Sequence, residues 1–165
     1  MKLIRTLKSA SSSGGFAFLM NKQEVDWLLA LLKIYPQMDS SCHKLTTTSA
    51  AEIKAEQETL EESMAQYRRD HRRKLDKFLA SPGRFRLEAP DQYRFALTPE
   101  QMEWMLQLLN DVRVGCWVKL GRPELEGVPK RHLTGQAARD MTALELSGYF
   151  QMVLLEAFKG PAAAS

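Results

Sequence analysis

Two stretches of this chain lie over one another in a single register: "FAFLMNKQEVDWLLALL" (Phe16 to Leu32) and "YRFALTPEQMEWMLQLL" (Tyr93 to Leu109). Phe18 meets Phe95, Met20 meets Leu97, Val25 meets Met102 and Trp27 meets Trp104, with the leucines following in step. Each stretch reads as a short strand that runs straight into a helix. Asn21 and Thr98 suit the N-cap, and Glu24 and Gln101 stand three residues later, where a capping box needs them. Pro99 falls at the first helical position, where its missing N–H costs nothing. Self-similarity of this kind constrains the fold more than composition does.

The pattern extends outward. "KLIRTLK" and "RFRLE" read as preceding strands, joined to the matched ones through the turn-forming "SASSSGG" and "APDQ". A second helix is expected after each unit, capped by Ser49 with Glu52 in the first half and by Thr142 with Glu145 in the second. The expected fold is therefore mainly α (α+β): about four helices with a small antiparallel sheet, in the order ββαα twice. A single domain is expected over 1–160, with halves at about 1–80 and 84–160 and a disordered tail at 161–165. At 165 residues with 44% hydrophobic content, one core is affordable without covalent staples. Cys42 and Cys116 make no disulfide framework, which points to a reducing cytoplasm. Arg5 and Lys8 interrupt the early apolar residues, so no signal peptide is expected. The longest apolar run, Trp27 to Leu32, is too short to span a bilayer, so no membrane partner is expected.

The second helix of the first half is predicted from about Ala50 to Ala80, ended by "SPG". Ile53, Leu60, Met64, Tyr67, His71, Leu75 and Phe78 form a stripe close to coiled-coil spacing. Its beginning is acidic and its end basic, an order the helix dipole favours. Arg68, Arg69, Arg72, Arg73, Lys74 and Lys77 make the one strong basic cluster, a candidate phosphate-binding patch. Asp70 and Asp76 interrupt it, so a solvated face is the first reading.

"LNDVRVGCWVKLG" (Leu109 to Gly121) sets three polar residues inside an apolar helix. At about 100° per residue, Met102, Met105, Leu106, Leu109, Val112, Cys116 and Leu120 share a face that includes Arg113. Trp104, Leu108, Gly115 and Val118 make a weaker opposite face that includes Asp111. Asn110, Asp111 and Arg113 are thus a candidate polar cluster for a ligand or partner, and their simpler reading is as packing anchors. Buried, Asp111 would need Arg131, Arg139 or backbone N–H groups, and Arg113 would need Glu145 or Glu156.

"NKQEVDWLLALL", "LTPEQMEWMLQLLNDVRVGCWVKLG" and "LELSGYFQMVLLEAF" together resemble an uncharacterised bacterial family of small helical proteins, best populated in actinobacteria. The "LNDVR…LG" helix is the most specific element of that resemblance, which implies a helical fold and assigns no activity.

No metal site is expected, since Cys42, His43, His71, Cys116 and His132 lack paired ligand spacing, and no cofactor motif occurs. The first functional expectation is a non-catalytic interaction or regulatory protein, its partner another protein or a second copy of the chain. Nucleic-acid binding through the basic helix end comes second. An enzyme using Asp111, Arg113 or Cys116 comes third.

Overall fold

A computed structural model describes residues 1–7, 14–38, 51–123 and 133–159. In chain order the elements are β1 (Lys2–Leu7), β2 (Gly15–Asn21), α1 (Lys22–Ile34), α2 (Ala51–Ala80), β3 (Phe85–Ala89), β4 (Gln92–Leu97), α3 (Pro99–Lys119) and α4 (Gly135–Lys159). The order is ββαα twice, with four helices and one antiparallel four-stranded sheet ordered β1-β2-β4-β3. Among the described residues no helix is long and apolar enough to cross a membrane.

Local chemistry starts both strand-to-helix units. The Asn21 side chain accepts from Glu24 N–H at 2.8 Å, and Glu24 accepts from Asn21 N–H at 3.0 Å. Thr98 and Gln101 repeat the exchange at 3.2 and 3.0 Å, with Pro99 opening α3. Asp91, at φ 59°, turns the chain between β3 and β4.

Alternation along β2 and β4 sends Phe18, Met20, Phe95 and Leu97 inward. They join Leu28 and Leu32 of α1, Leu75 and Phe78 of α2, Met102, Met105 and Leu109 of α3, and Phe150 and Leu154 of α4 in one core cluster. Each such side chain contributes about 1.5–3 kcal/mol on leaving water. The α2 helix enters this core only near its end. Before Leu75 none of its described side chains is buried, and Tyr67 is 46% exposed.

Two expectations are corrected. Thr142 does not cap α4, which begins at Gly135; its hydroxyl donates to Ala138 O inside the helix at 2.9 Å. Gln136, Ala137 and Ala138 are good helix formers, and they carry the helix past an apparent capping box. The supposed opposite faces of α3 are one arc. Its buried residues, Trp104, Gly115, Leu108, Val112, Met105, Cys116, Leu109 and Met102, sweep about 160° of the helix in that order. Arg113 therefore lies outside the arc and is exposed, and Asp111, half-buried, lies at the opposite border. The cap expected at Ser49, the turn over 8–13, Cys42, His43, Arg131, His132 and the tail 161–165 lie outside the described residues.

Candidate functional site

The three polar residues of α3 do not converge. Asp111 faces the segment that follows α1: its Oδ1 accepts from Gln37 N–H at 2.7 Å and from Met38 N–H at 3.4 Å. One turn on, Gly115 lets that segment come close, since a Cβ there would stand 2.7 Å from the Gln37 carbonyl carbon. A turn further, Lys119 Nζ donates to Gln37 Oε1. Spacing of four residues thus puts an acceptor, a gap and a cation in a row along α3, and that row holds the chain where α1 has ended. The backbone N–H groups that Asp111 satisfies would otherwise be orphans beyond the helix. Buried Tyr35 lies alongside; its burial, reinforced by the Asp111 carboxylate, pushes its phenol up to about 12.

Arg113 and Asn110 face the other way. With Val114, Trp117 and Leu144 they line a surface cavity of roughly 190 Å³. Arg113 Nη1 donates to Gln151 Oε1 at 3.4 Å, so Gln151 takes the place expected of Glu145 or Glu156. Trp117 Nε1 donates to Pro123 O at 3.1 Å, fixing the indole at the cavity wall.

Much of the basic cluster on α2 is spent within the fold. Arg72 Nη1 donates to Tyr35 O at 2.8 Å and Lys33 O at 3.3 Å, placing a cation on the carbonyl end of α1, where the helix dipole favours one. Arg72 also pairs with Asp76 at 3.3 Å, and Arg73 with Asp70 at 3.6 Å. Lys74 Nζ lies 4.8 Å from the centre of the Trp104 ring, and Arg69 donates to Gln66 Oε1 at 2.8 and 3.2 Å. Arg68 is half-buried. Arg69, Arg73 and Lys77, four residues apart, line one exposed side of the helix.

His71 lies beneath this run, its ring 3.9 Å from that of Tyr67 and 6.4 Å from that of Trp104. Burial, with Lys74 adding and Asp70 opposing, holds its pKa below the ordinary histidine value. Cys116 is fully buried, and burial, with Asp140 adding more than Asp111, pushes its thiol up to about 11. That is the reverse of what a nucleophilic cysteine needs. Among the described residues no group of three or more His, Cys, Asp or Glu side chains could hold a metal ion.

Sequence reasoning missed Gln37, because the segment after Pro36 carries no periodic pattern. The signal that could have found it is the Asp111–Gly115–Lys119 spacing. It also missed the open surface beside Trp27, since nothing local distinguishes Trp27 from its counterpart Trp104. Comparison of the chain with protein-family models, with curated proteins and with solved structures finds no match.

Proposed function

We propose that this chain is a non-catalytic protein-interaction or regulatory protein that binds through the first half of α2. The observation that carries the reading is the uneven use of that helix. Leu75 and Phe78 fix its end in the core, whereas the described side chains from Glu56 to Gln66 include none that is buried. Leu60, Met64 and Tyr67 follow one another at spacings of four and three, the spacing by which a helix offers an apolar stripe to a partner. The helix runs for 30 residues, and the first of its described side chains to be buried is Leu75. Kinship with the uncharacterised bacterial family and a place in the bacterial cytoplasm belong to the same reading; they rest on the "LNDVR…LG" resemblance and on the sparse cysteines.

Nucleic-acid binding is kept as a second reading for one observation, the exposed Arg69–Arg73–Lys77 stripe. Enzyme chemistry at Asp111, Arg113 or Cys116 ranks below both. Backbone N–H groups occupy the Asp111 carboxylate, and burial keeps the Cys116 thiol protonated. The deciding experiment is capture on the tagged chain from source lysate, with and without nuclease. A protein that stays bound after nuclease supports the interaction reading; enrichment that vanishes with nuclease overturns it in favour of the basic stripe.

A further inference from the structure

An apolar groove of roughly 350 Å³ runs between α1 and α4, walled by Trp27, Ala30 and Ile34 on one side and Ala138, Thr142 and Leu146 on the other. Trp27 is 36% and Ile34 38% exposed there. Trp104, which corresponds to Trp27 in the matched stretches, is 3% exposed. The difference lies in what covers each ring. Phe78 meets Trp104 edge-on at 5.4 Å, His71 lies 6.4 Å away and Lys74 sits over the ring, all three from α2. Tyr67 then reaches Gln107, the counterpart of Ala30, at 3.1 Å. On α1 the corresponding surface meets the small side chains Ala138 and Thr142 of α4, and the groove is left open.

We propose that this groove receives the first half of α2 from a second copy of the chain, with Leu60 and Met64 as the inserted pair. The inference rests on the interaction reading above and names the partner. The ring to be covered, Trp27, is the counterpart of Trp104, which the second half of α2 already covers on α3. The charges also agree: Glu56 and Glu61 flank the Leu60–Met64 stripe, and exposed Arg139 lines the groove. Each copy would give one helix and receive one, which makes a closed two-fold pair.

The test is the molar mass of the purified chain by sedimentation equilibrium. The wild type is expected to be a dimer. Ala30→Glu, which puts a carboxylate into the groove, and Leu60→Glu with Met64→Glu, which spoils the inserted stripe, should each raise the dimer dissociation constant by more than about tenfold. Arg139→Glu, at the exposed rim, is a second groove variant should Ala30→Glu fail to fold. Mixing the groove variant with the helix variant should restore a heterodimer, since one intact groove then meets one intact helix. A wild-type dimer that survives the groove variants overturns the proposal, as does a monomeric wild type. If that monomer still captures a different protein through Leu60 and Met64, the wider interaction reading stands; if it captures none, both fall.

Discussion

Phe18 of β2 stands directly opposite Phe95 of β4, and the two are also counterparts in the matched sequence stretches. The sheet therefore turns about this pair: β1 and β3 lie outside it, and the strand order is the same from either edge. One row crosses all four strands as Leu3, Phe18, Phe95 and Phe85. Phe18 and Phe95 are both fully buried, and Phe85 stacks on Phe95 at 4.9 Å between ring centres. Phe18→Ala and Phe95→Ala should each cost about 3–5 kcal/mol in urea unfolding. Half-buried Phe85→Ala should cost less than either. A larger loss at Phe85 would place the centre of the sheet elsewhere.

Asp111 and Arg113 separate structure from surface within one turn of α3. Asp111→Ala leaves the Gln37 N–H without its acceptor and should destabilise by about 1–3 kcal/mol. Gly115→Ala forces a methyl against the Gln37 backbone and should cost about 1–3 kcal/mol as well. Arg113→Leu, at an exposed position with one 3.4 Å hydrogen bond to Gln151, should stay within about 0.5 kcal/mol of wild type. Chemical unfolding of the three variants tests this order, and a stable Asp111→Ala protein would remove Asp111 from its anchoring role.

How much of this was legible depends on the range of the interaction. Asn21, Thr98, Glu24 and Gln101 act over three residues, and the hydrogen bonds expected of them are present. The four strands follow from alternation and turn residues in the same way. Faces of α3 were harder, because periodicity gives the width of an apolar surface but not which border will meet solvent. Periodicity alone centres the face near Leu109, with Arg113 inside it, whereas packing from β4, α1, α2 and α4 centres it near Val112. That shift moves Arg113 out to solvent and brings Asp111 to the Gln37 backbone. Thr142 misled because its capping pattern lies inside a segment already helical for tertiary reasons. The unequal exposure of Trp27 and Trp104 was invisible, since it depends on α2 returning from a distant part of the chain.

His71 should give stability a pH dependence of definite sign. Its folded pKa lies below the unfolded value of about 6.5, so the unfolded chain binds the proton more readily. Stability is fully present above that value and declines as pH falls from about 6.5 through the lower folded value. Thermal midpoints of wild type and His71→Gln, compared from about pH 7.5 down to about pH 5.5, should converge as the pH drops. A gap that widens on acidification would mean that the folded state holds the proton.

Cys116 should behave as a core side chain. With Cys42 changed to serine, the Cys116 thiol should react with an alkylating reagent at about pH 8 no faster than the protein opens. Labelling should reach the free-cysteine rate only in denaturant. Rapid native labelling would return Cys116 to the list of reactive groups.

The most direct measurement compares two surface variants in capture from nuclease-treated lysate. Leu60→Glu with Met64→Glu spoils the apolar stripe at the unpacked end of α2; Arg69→Glu, Arg73→Glu and Lys77→Glu together reverse its exposed basic stripe. If the chain acts through the first half of α2, the first variant loses the protein that wild type retains and the second keeps it. The opposite pattern, binding intact without Leu60 and Met64 and lost with the three basic residues, would contradict the account.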